Sequence, residues 1–278
     1  MTPISGSTLT VGVIGAPVRH SLSPRLHNAA FEALGVDARS LAFPVEAGDG
    51  AAAIDAMRTL GIRGLSVTMP HKEAVAAAAD ERSDAVARLG VANCLVNDRG
   101  VITAHNTDGD GFVRSLAVEH GFELSGRRVV VFGAGGAARS VVEAVGRSGA
   151  ADVAVVNRST DSAAIAAAVG GDAARVGSAV DVADADLVVN ATPLGMSPDD
   201  PLPAPIDLIH DGHIIVDLVY RPSTTALLAA AMVRNATCVN GVPMLLHQAA
   251  IQLEIWTDRP APISAMRAAV IADMGLPG

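Results

Sequence analysis

Apolar positions in this chain fall into short, β-branched runs that alternate with longer, alanine-rich stretches broken by charges. Residues 9–14 form the first run and predict a buried strand ending at Gly15. Ser23 followed by Pro24 predicts a helix start, with serine as N-cap and proline in the first turn, and the helix runs to Leu34 before Gly35. Residues 39–45 predict a strand, 49–60 a helix and 63–68 a strand. This succession is the parallel α/β pattern, in which ligands bind beyond the carboxyl ends of the strands.

Residues 73–89 predict helix with a break near 80–83. Residues 93–96 and 101–104 flank Asn97-Asp98-Arg99-Gly100 and predict a hairpin. His105-Asn106-Thr107-Asp108-Gly109 then leads into a helix through Glu119, which Thr107 or Asp108 is placed to cap. Residues 129–132 enter Gly133-Ala134-Gly135-Gly136-Ala137-Ala138, a G-x-G-x-x-A turn, with a helix to Arg147 and a strand at 152–156. Strand before and helix after make the turn a candidate pyrophosphate cradle. Helix is predicted at 163–169, strand at 186–189, loop at 198–205, strand at 213–217, helix at 224–233 and strand at 237–239. Two last helices are predicted at 243–256 and 263–274, and no internal repeat is present.

Composition narrows the reading. The chain has 278 residues, 50% hydrophobic and 18% charged, enough to bury the cores of two medium domains. A net charge of −9 argues against a nucleic-acid partner. Cys94 and Cys238 have no ligand-like spacing and are expected to be reduced core thiols of a cytoplasmic protein. No signal peptide or membrane span is expected. His210 and His213 lack companion ligands, so no metal is expected.

The candidate chemistry begins with Lys72. Lysine and arginine together number 20, and Lys72 is the only lysine among them. Lysine can release a proton in the working pH range where arginine cannot. Asp108 is a candidate partner that keeps the ammonium charged and oriented. Ser21 and Ser23, at a strand-to-helix turn, are placed either to shape the turn or to hold a carboxylate. After the second strand of the glycine-turn unit stand Asn157 and Arg158, neutral then cationic, which suit the 2′-phosphate of NADP better than the free hydroxyl of NAD.

Taken together, these stretches resemble the shikimate dehydrogenase family. The motifs that carry the resemblance are His20-Ser21-Leu22-Ser23-Pro24 with His27-Asn28, Ser66-Val67-Thr68-Met69-Pro70-His71-Lys72, Ala92-Asn93, Asn106-Thr107-Asp108-Gly109, and the glycine turn with Asn157-Arg158. Asn190-Ala191-Thr192-Pro193-Leu194-Gly195-Met196 and Asn240-Gly241-Val242-Pro243-Met244-Leu245 with Gln248 complete them.

The resemblance implies a two-domain α/β fold. An N-terminal α/β substrate domain, 1–107 completed by 241–278, would face a Rossmann-like doubly wound NADP domain, 108–240, across a cleft. It implies NADPH-dependent reduction of 3-dehydroshikimate to shikimate on the way to chorismate and the aromatic amino acids. Lys72 would be the general acid/base and Asp108 its partner. Ser21 and Ser23 would hold the substrate carboxylate beside Tyr220, the only tyrosine. Thr68, Asn93, Asp108 and Gln248 would meet the ring hydroxyls and the reacting oxygen. Gly133, Ala134, Gly135, Gly136 and Ala137, with Asn157 and Arg158, would hold the cofactor, and Leu218, Gly241 and Met244 would flank the nicotinamide. A monomer or homodimer is expected.

Two departures from the family pattern stand out. Ser66 occupies the place where many relatives carry asparagine, so a substrate contact or a local strut differs. No second cation follows Arg158 within 159–163, and Asp161 is acidic. The rival readings are an NAD-preferring quinate/shikimate dehydrogenase, expected to carry an acidic residue near Asn157, which is absent, and a non-catalytic nucleotide sensor, which has no use for both Lys72 and Asp108.

Overall fold

The computed structural model describes residues 3–275. The chain forms two compact units: one holds the described residues through Thr107 and those from Leu246 onward, the other Asp108–Leu245.

The first unit runs β1 (Leu9–Gly15), α1 (Ser23–Leu34), β2 (Ala38–Pro44), α2 (Gly50–Thr59), β3 (Gly64–Val67), α3 (Lys72–Ala78), β4 (Glu81–Arg82), α4 (Asp84–Leu89), β5 (Cys94–Asp98) and β6 (Val101–His105). Its sheet has the order β2-β1-β3-β5-β6-β4. β1 pairs parallel with β2 and β3, and β5 runs antiparallel to β3 and β6. Arg99 and Gly100 both adopt positive φ, 50° and 95°, which closes the β5–β6 hairpin with a two-residue turn matched to the twist of its strands. Ile54, Met57, Leu65, Leu95 and Ile102 form part of the core, each worth roughly 1.5–3 kcal/mol of burial.

The second unit runs α5 (Asp108–His120), β7 (Arg128–Phe132), α6 (Gly136–Arg147), β8 (Asp152–Val156), α7 (Thr160–Ala168), β9 (Ala174–Val176), β10 (Leu187–Asn190), β11 (Ile214–Asp217), α8 (Ala226–Met232) and β12 (Thr237–Val239). Its sheet is wholly parallel in the order β12-β11-β10-β7-β8-β9. Numbered from β7, this is the doubly wound dinucleotide-binding order, with its switch point between β7 and β10. Val131, Val141, Val153, Val155 and Leu187 are among the residues that fill the face under α5–α7.

The chain then enters α9 (Val242–Thr257) and α10 (Ile263–Met274). From Leu246 on, their residues belong to the first unit. α10 packs on α1, with Arg25 Nε 2.6 Å from Asp273 Oδ1. Trp256 donates from Nε1 to Leu95 O at 3.0 Å and meets the His27 ring edge-on, with centroids 4.8 Å apart.

Several sequence expectations need correction. Leu22, not Ser23, is the N-cap of α1, and Ser23 is already helical. The Ser23 N–H is instead accepted by Ser21 Oγ at 3.3 Å, from the residue before the N-cap. The break at 80–83 contains a short strand, β4, paired parallel with β6. α7 starts three residues earlier than expected because Ser159 Oγ accepts the Ser162 N–H at 3.2 Å. Cys94 is a buried thiol, and burial raises its pKa; Cys238, on edge strand β12, is only half-buried.

Candidate functional site

In the first unit, the site begins where β1 and β3 end side by side. Thr68 donates its backbone N–H to Ile14 O at 3.0 Å, and Ala16 donates to Met69 O at 3.0 Å, so the segments after both strands are stitched together. The turn after β3 delivers Lys72 as the first residue of α3. His71 just before it is buried and pairs through Nε2 with Val45 O at 2.8 Å, which fixes the turn. Lys72 is half-buried. Beyond β1, the Ser21 hydroxyl donates to Ser23 Oγ at 3.3 Å, so the candidate carboxylate-holding hydroxyls form one local pair.

Behind β3 lies a buried cluster of neutral polar groups. Thr107 N donates to Asn93 Oδ1 at 2.7 Å, and Asn93 Nδ2 donates to Gln248 Oε1 at 3.2 Å. Gln252 Nε2 donates to Gln248 Oε1 at 2.9 Å and to Asn93 O at 3.1 Å. Ser66 closes the cluster with a hydrogen bond from its hydroxyl to Gln252 Oε1. Neither Gln252 nor this use of Ser66 follows from local sequence pattern; the available signal is the pair of glutamines one helical turn apart in a largely apolar helix. Asp108 directly follows Thr107 in the chain and opens α5, where its carboxyl is buried.

In the second unit, Gly133 has φ 114°, and a Cβ there would sit 3.0 Å from Ala191 O. Only glycine accommodates both the dihedral and the close approach. α6 then starts at Gly136 with no side-chain cap on its N-cap residue, Gly135. By contrast, α7 and α8 are capped by Ser159 and Thr225. The α6 start therefore fits an anion, and the glycine turn gives a dinucleotide pyrophosphate room to approach. At the end of β8, Asn157 Nδ2 donates to Ser159 O at 3.2 Å, and Arg158 lies exposed. Ser159 is engaged in capping α7, which leaves Arg158 as the cation at this strand end.

The neighbouring loops are held by Asp217, which is fully buried at the end of β11. Its Oδ1 accepts from Asn190 Nδ2 at 2.9 Å and from Val219 N at 3.1 Å, and its Oδ2 from Thr225 Oγ1 at 2.6 Å. Burial raises the Asp217 pKa, opposed by these hydrogen bonds. Asn190 also donates to Leu194 O at 2.9 Å and accepts from Thr192 Oγ1 at 2.6 Å, which shapes the loop after β10. Gly241 lies so close to the Leu218 carbonyl that a Cβ would collide with it. Tyr220, two residues after Leu218, is half-buried, and burial raises its pKa, so the phenol is a hydrogen-bond donor near neutrality. His210 and His213 stack with centroids 3.8 Å apart, and His213 Nδ1 accepts from His210 N at 3.0 Å.

The first unit thus gathers Ser21, Ser23, Thr68, Lys72, Asn93 and Gln248, and the second carries Asp108, the glycine turn, Asn157, Arg158, Leu218, Tyr220, Gly241 and Met244. These features define a two-unit α/β protein whose second unit has the sheet and turn of a nicotinamide-dinucleotide binder.

Comparison with known proteins makes the assignment particular. Residues 13–95 match the shikimate dehydrogenase substrate binding domain, 115–194 the shikimate/quinate 5-dehydrogenase family and 241–271 the shikimate 5′-dehydrogenase C-terminal domain. A Moorella thermoacetica relative, shikimate dehydrogenase (NADP(+)), is 42% identical over 99% of this chain and 97% of its own. Among solved structures, shikimate 5-dehydrogenase of Thermus thermophilus in complex with NADP(H) and shikimate is 34% identical, with TM-score 0.88 over 95% of this chain and 99% of that one. Quinate dehydrogenase of Corynebacterium glutamicum in complex with NAD is 32% identical, with TM-score 0.87 over 95% and 99%. The chain belongs to the shikimate dehydrogenase family.

Proposed function

We propose that this protein is an NADP-dependent oxidoreductase that reversibly reduces 3-dehydroshikimate to shikimate, the step that leads toward chorismate and the aromatic amino acids. The observation that carries this reading is the placement of the sole lysine, Lys72, at the head of α3 beyond the paired carboxyl ends of β1 and β3. That is where an open α/β sheet binds its ligand. Bound NADPH supplies the hydride. Lys72 gives its proton to the oxygen of the ketone as negative charge develops there, and its charge stabilises that oxygen before transfer. Asp108 orients Lys72 toward the substrate. Ser21 and Ser23, with the Tyr220 phenol, hold the substrate carboxylate. Thr68, Asn93 and Gln248 meet the ring hydroxyls.

Gly133, Ala134, Gly135, Gly136 and Ala137 would hold the cofactor through its pyrophosphate. Asn157 and Arg158 take its adenosine 2′-phosphate, and Leu218, Gly241 and Met244 border the nicotinamide. The substrate domain corresponds to the first unit, 1–107 completed from Leu246 onward, and the cofactor domain to the second, 108–245. We place the protein in the cytoplasm as a monomer or homodimer. Among the described residues no helix is long and apolar enough to cross a membrane.

The test is the appearance of NADPH absorbance with shikimate and NADP+, run beside NAD+ and beside quinate. Turnover with shikimate and NADP+ well above the other three combinations is the expected result. Preference for NAD+ with quinate would instead favour the second reading, a quinate dehydrogenase like the 32% identical Corynebacterium glutamicum protein. Binding without turnover of either substrate would favour a nucleotide sensor.

A further inference from the structure

The buried cluster behind β3 contains three side-chain amides, and two backbone groups dictate which way each of them faces. The Thr107 backbone N–H can only donate, and it meets Asn93 at 2.7 Å, so the Asn93 oxygen lies there and its Nδ2 points on toward Gln248. The Asn93 backbone carbonyl can only accept, and Gln252 meets it at 3.1 Å, so Gln252 presents Nε2 on that side. The same nitrogen donates to Gln248 at 2.9 Å. Gln248 therefore turns its oxygen inward to two donors and its Nε2 away from the cluster. The far end of Gln252 is its oxygen, and in the interior it needs a donor. Ser66 supplies one from β3, 186 residues away in the chain. Ser66 is only 4% exposed, so this hydroxyl is a strut rather than a surface group.

We infer that Gln252, pinned by Ser66, is a positioning residue that fixes Gln248 as a hydrogen-bond donor toward the substrate. Gln248 then selects an oxygen that accepts a hydrogen bond, and a ligand group that can only donate is rejected there. This inference rests on the proposed function, in which Gln248 meets a substrate oxygen. It also assigns the work of Ser66: the side chain acts through Gln252 and not by touching substrate.

The experiment is steady-state kinetics of the full chain with shikimate and NADP+, comparing wild type with Ser66→Ala, Gln252→Met and the double variant. Gln252→Met conserves volume but removes the donor to Gln248. It is expected to raise KM for shikimate about 10-fold, with kcat within about 3-fold and KM for NADP+ unchanged, the signature of lost uniform binding. Ser66→Ala is expected to raise the same KM about 3-fold, and Ser66→Thr, which keeps the hydroxyl, to restore it. The double variant is expected to match Gln252→Met alone, because Ser66 acts only through Gln252.

Multiplicative effects in the double variant would overturn the inference, as would an unchanged shikimate KM in folded Gln252→Met. So would a parallel loss of kcat, both KM values and thermal stability. If Gln252→Met fails to fold, the contrast between Ser66→Ala and Ser66→Thr decides the matter by the same criteria. A wild-type protein inactive on shikimate overturns the proposed function and this inference with it, whereas an active wild type with unresponsive variants overturns the inference alone.

Discussion

Each unit buries a polar cluster at the carboxyl end of its sheet, and the two clusters are built on different principles. In the second unit the centre is a carboxylate, Asp217, whose oxygens only accept; Asn190, Val219 and Thr225 converge on it, and the loops after β10 and β11 are locked without ambiguity. In the first unit the centre is a set of neutral amides, each of which can be reversed end for end. There the direction must be imposed by backbone groups and by the Ser66 hydroxyl. A carboxylate hub is a rigid bracket. An amide chain is a relay of orientation, and it can hand a defined donor to a ligand. The proposed chemistry divides in the same way: side chains such as Lys72 in the first unit, and largely backbone in the second, where a glycine turn and an uncapped helix start are the proposed cofactor cradle.

The largest expected effect tests that division directly. Lys72→Ala should lower kcat by a factor on the order of 10²–10⁴, with KM for NADP+ nearly unchanged, measured by initial rates. A near wild-type kcat would remove the chemistry from the first unit. Next, Asp217→Ala strips the acceptor from three buried donors and should cost roughly 4 kcal/mol of stability, read by denaturant unfolding. A loss under about 1 kcal/mol would show that the bracket is not one.

Third, His27 in the first unit is wholly buried, and burial lowers its pKa to about 4. Unfolded, it titrates near the ordinary histidine value of about 6.5. Between those values the unfolded chain binds the extra proton, so stability should fall as pH drops through that window, by on the order of 3 kcal/mol in all. His27→Phe should flatten that limb in unfolding measured across it, and an unchanged slope would assign the acid sensitivity elsewhere. The smallest effect concerns the one charged side-chain contact expected of the second unit with the cofactor: Arg158→Ala should raise KM for NADP+ about 10- to 100-fold and leave that for NAD+ unchanged.

Regular elements with their own hydrophobic period are legible in the sequence. The pattern places β8, β12 and α10 at the bounds they adopt, and the glycine turn falls between β7 and α6 as its spacing requires. β4 and β9 are not legible, because they are short, largely exposed edge strands with no alternation to detect. The 3-10 turn at Ala179–Asp184 is likewise set by a local capping box, in which Ser178 and Asp181 answer each other, and not by apolar spacing. At the site, the lone lysine and the strand-end pair Asn157-Arg158 stand out because residue type alone marks them. Ser66, Gln252 and Asp217 do not, since their meaning comes from partners brought together by tertiary folding. A serine in a strand, a glutamine in a helix and an acid closing an apolar run are ordinary features until those partners are known.

The return of the chain to its first unit has a consequence for biosynthesis. The first unit includes Trp256 on α9 and Met266 on α10, both buried and both encoded after the whole of Asp108–Leu245. Until those helices are made, the segment translated first lacks part of its interior, whereas the second unit is one continuous segment. Completion of the first unit therefore has to wait for α10 and the part of α9 from Leu246 onward, which are made after the whole of Asp108–Leu245.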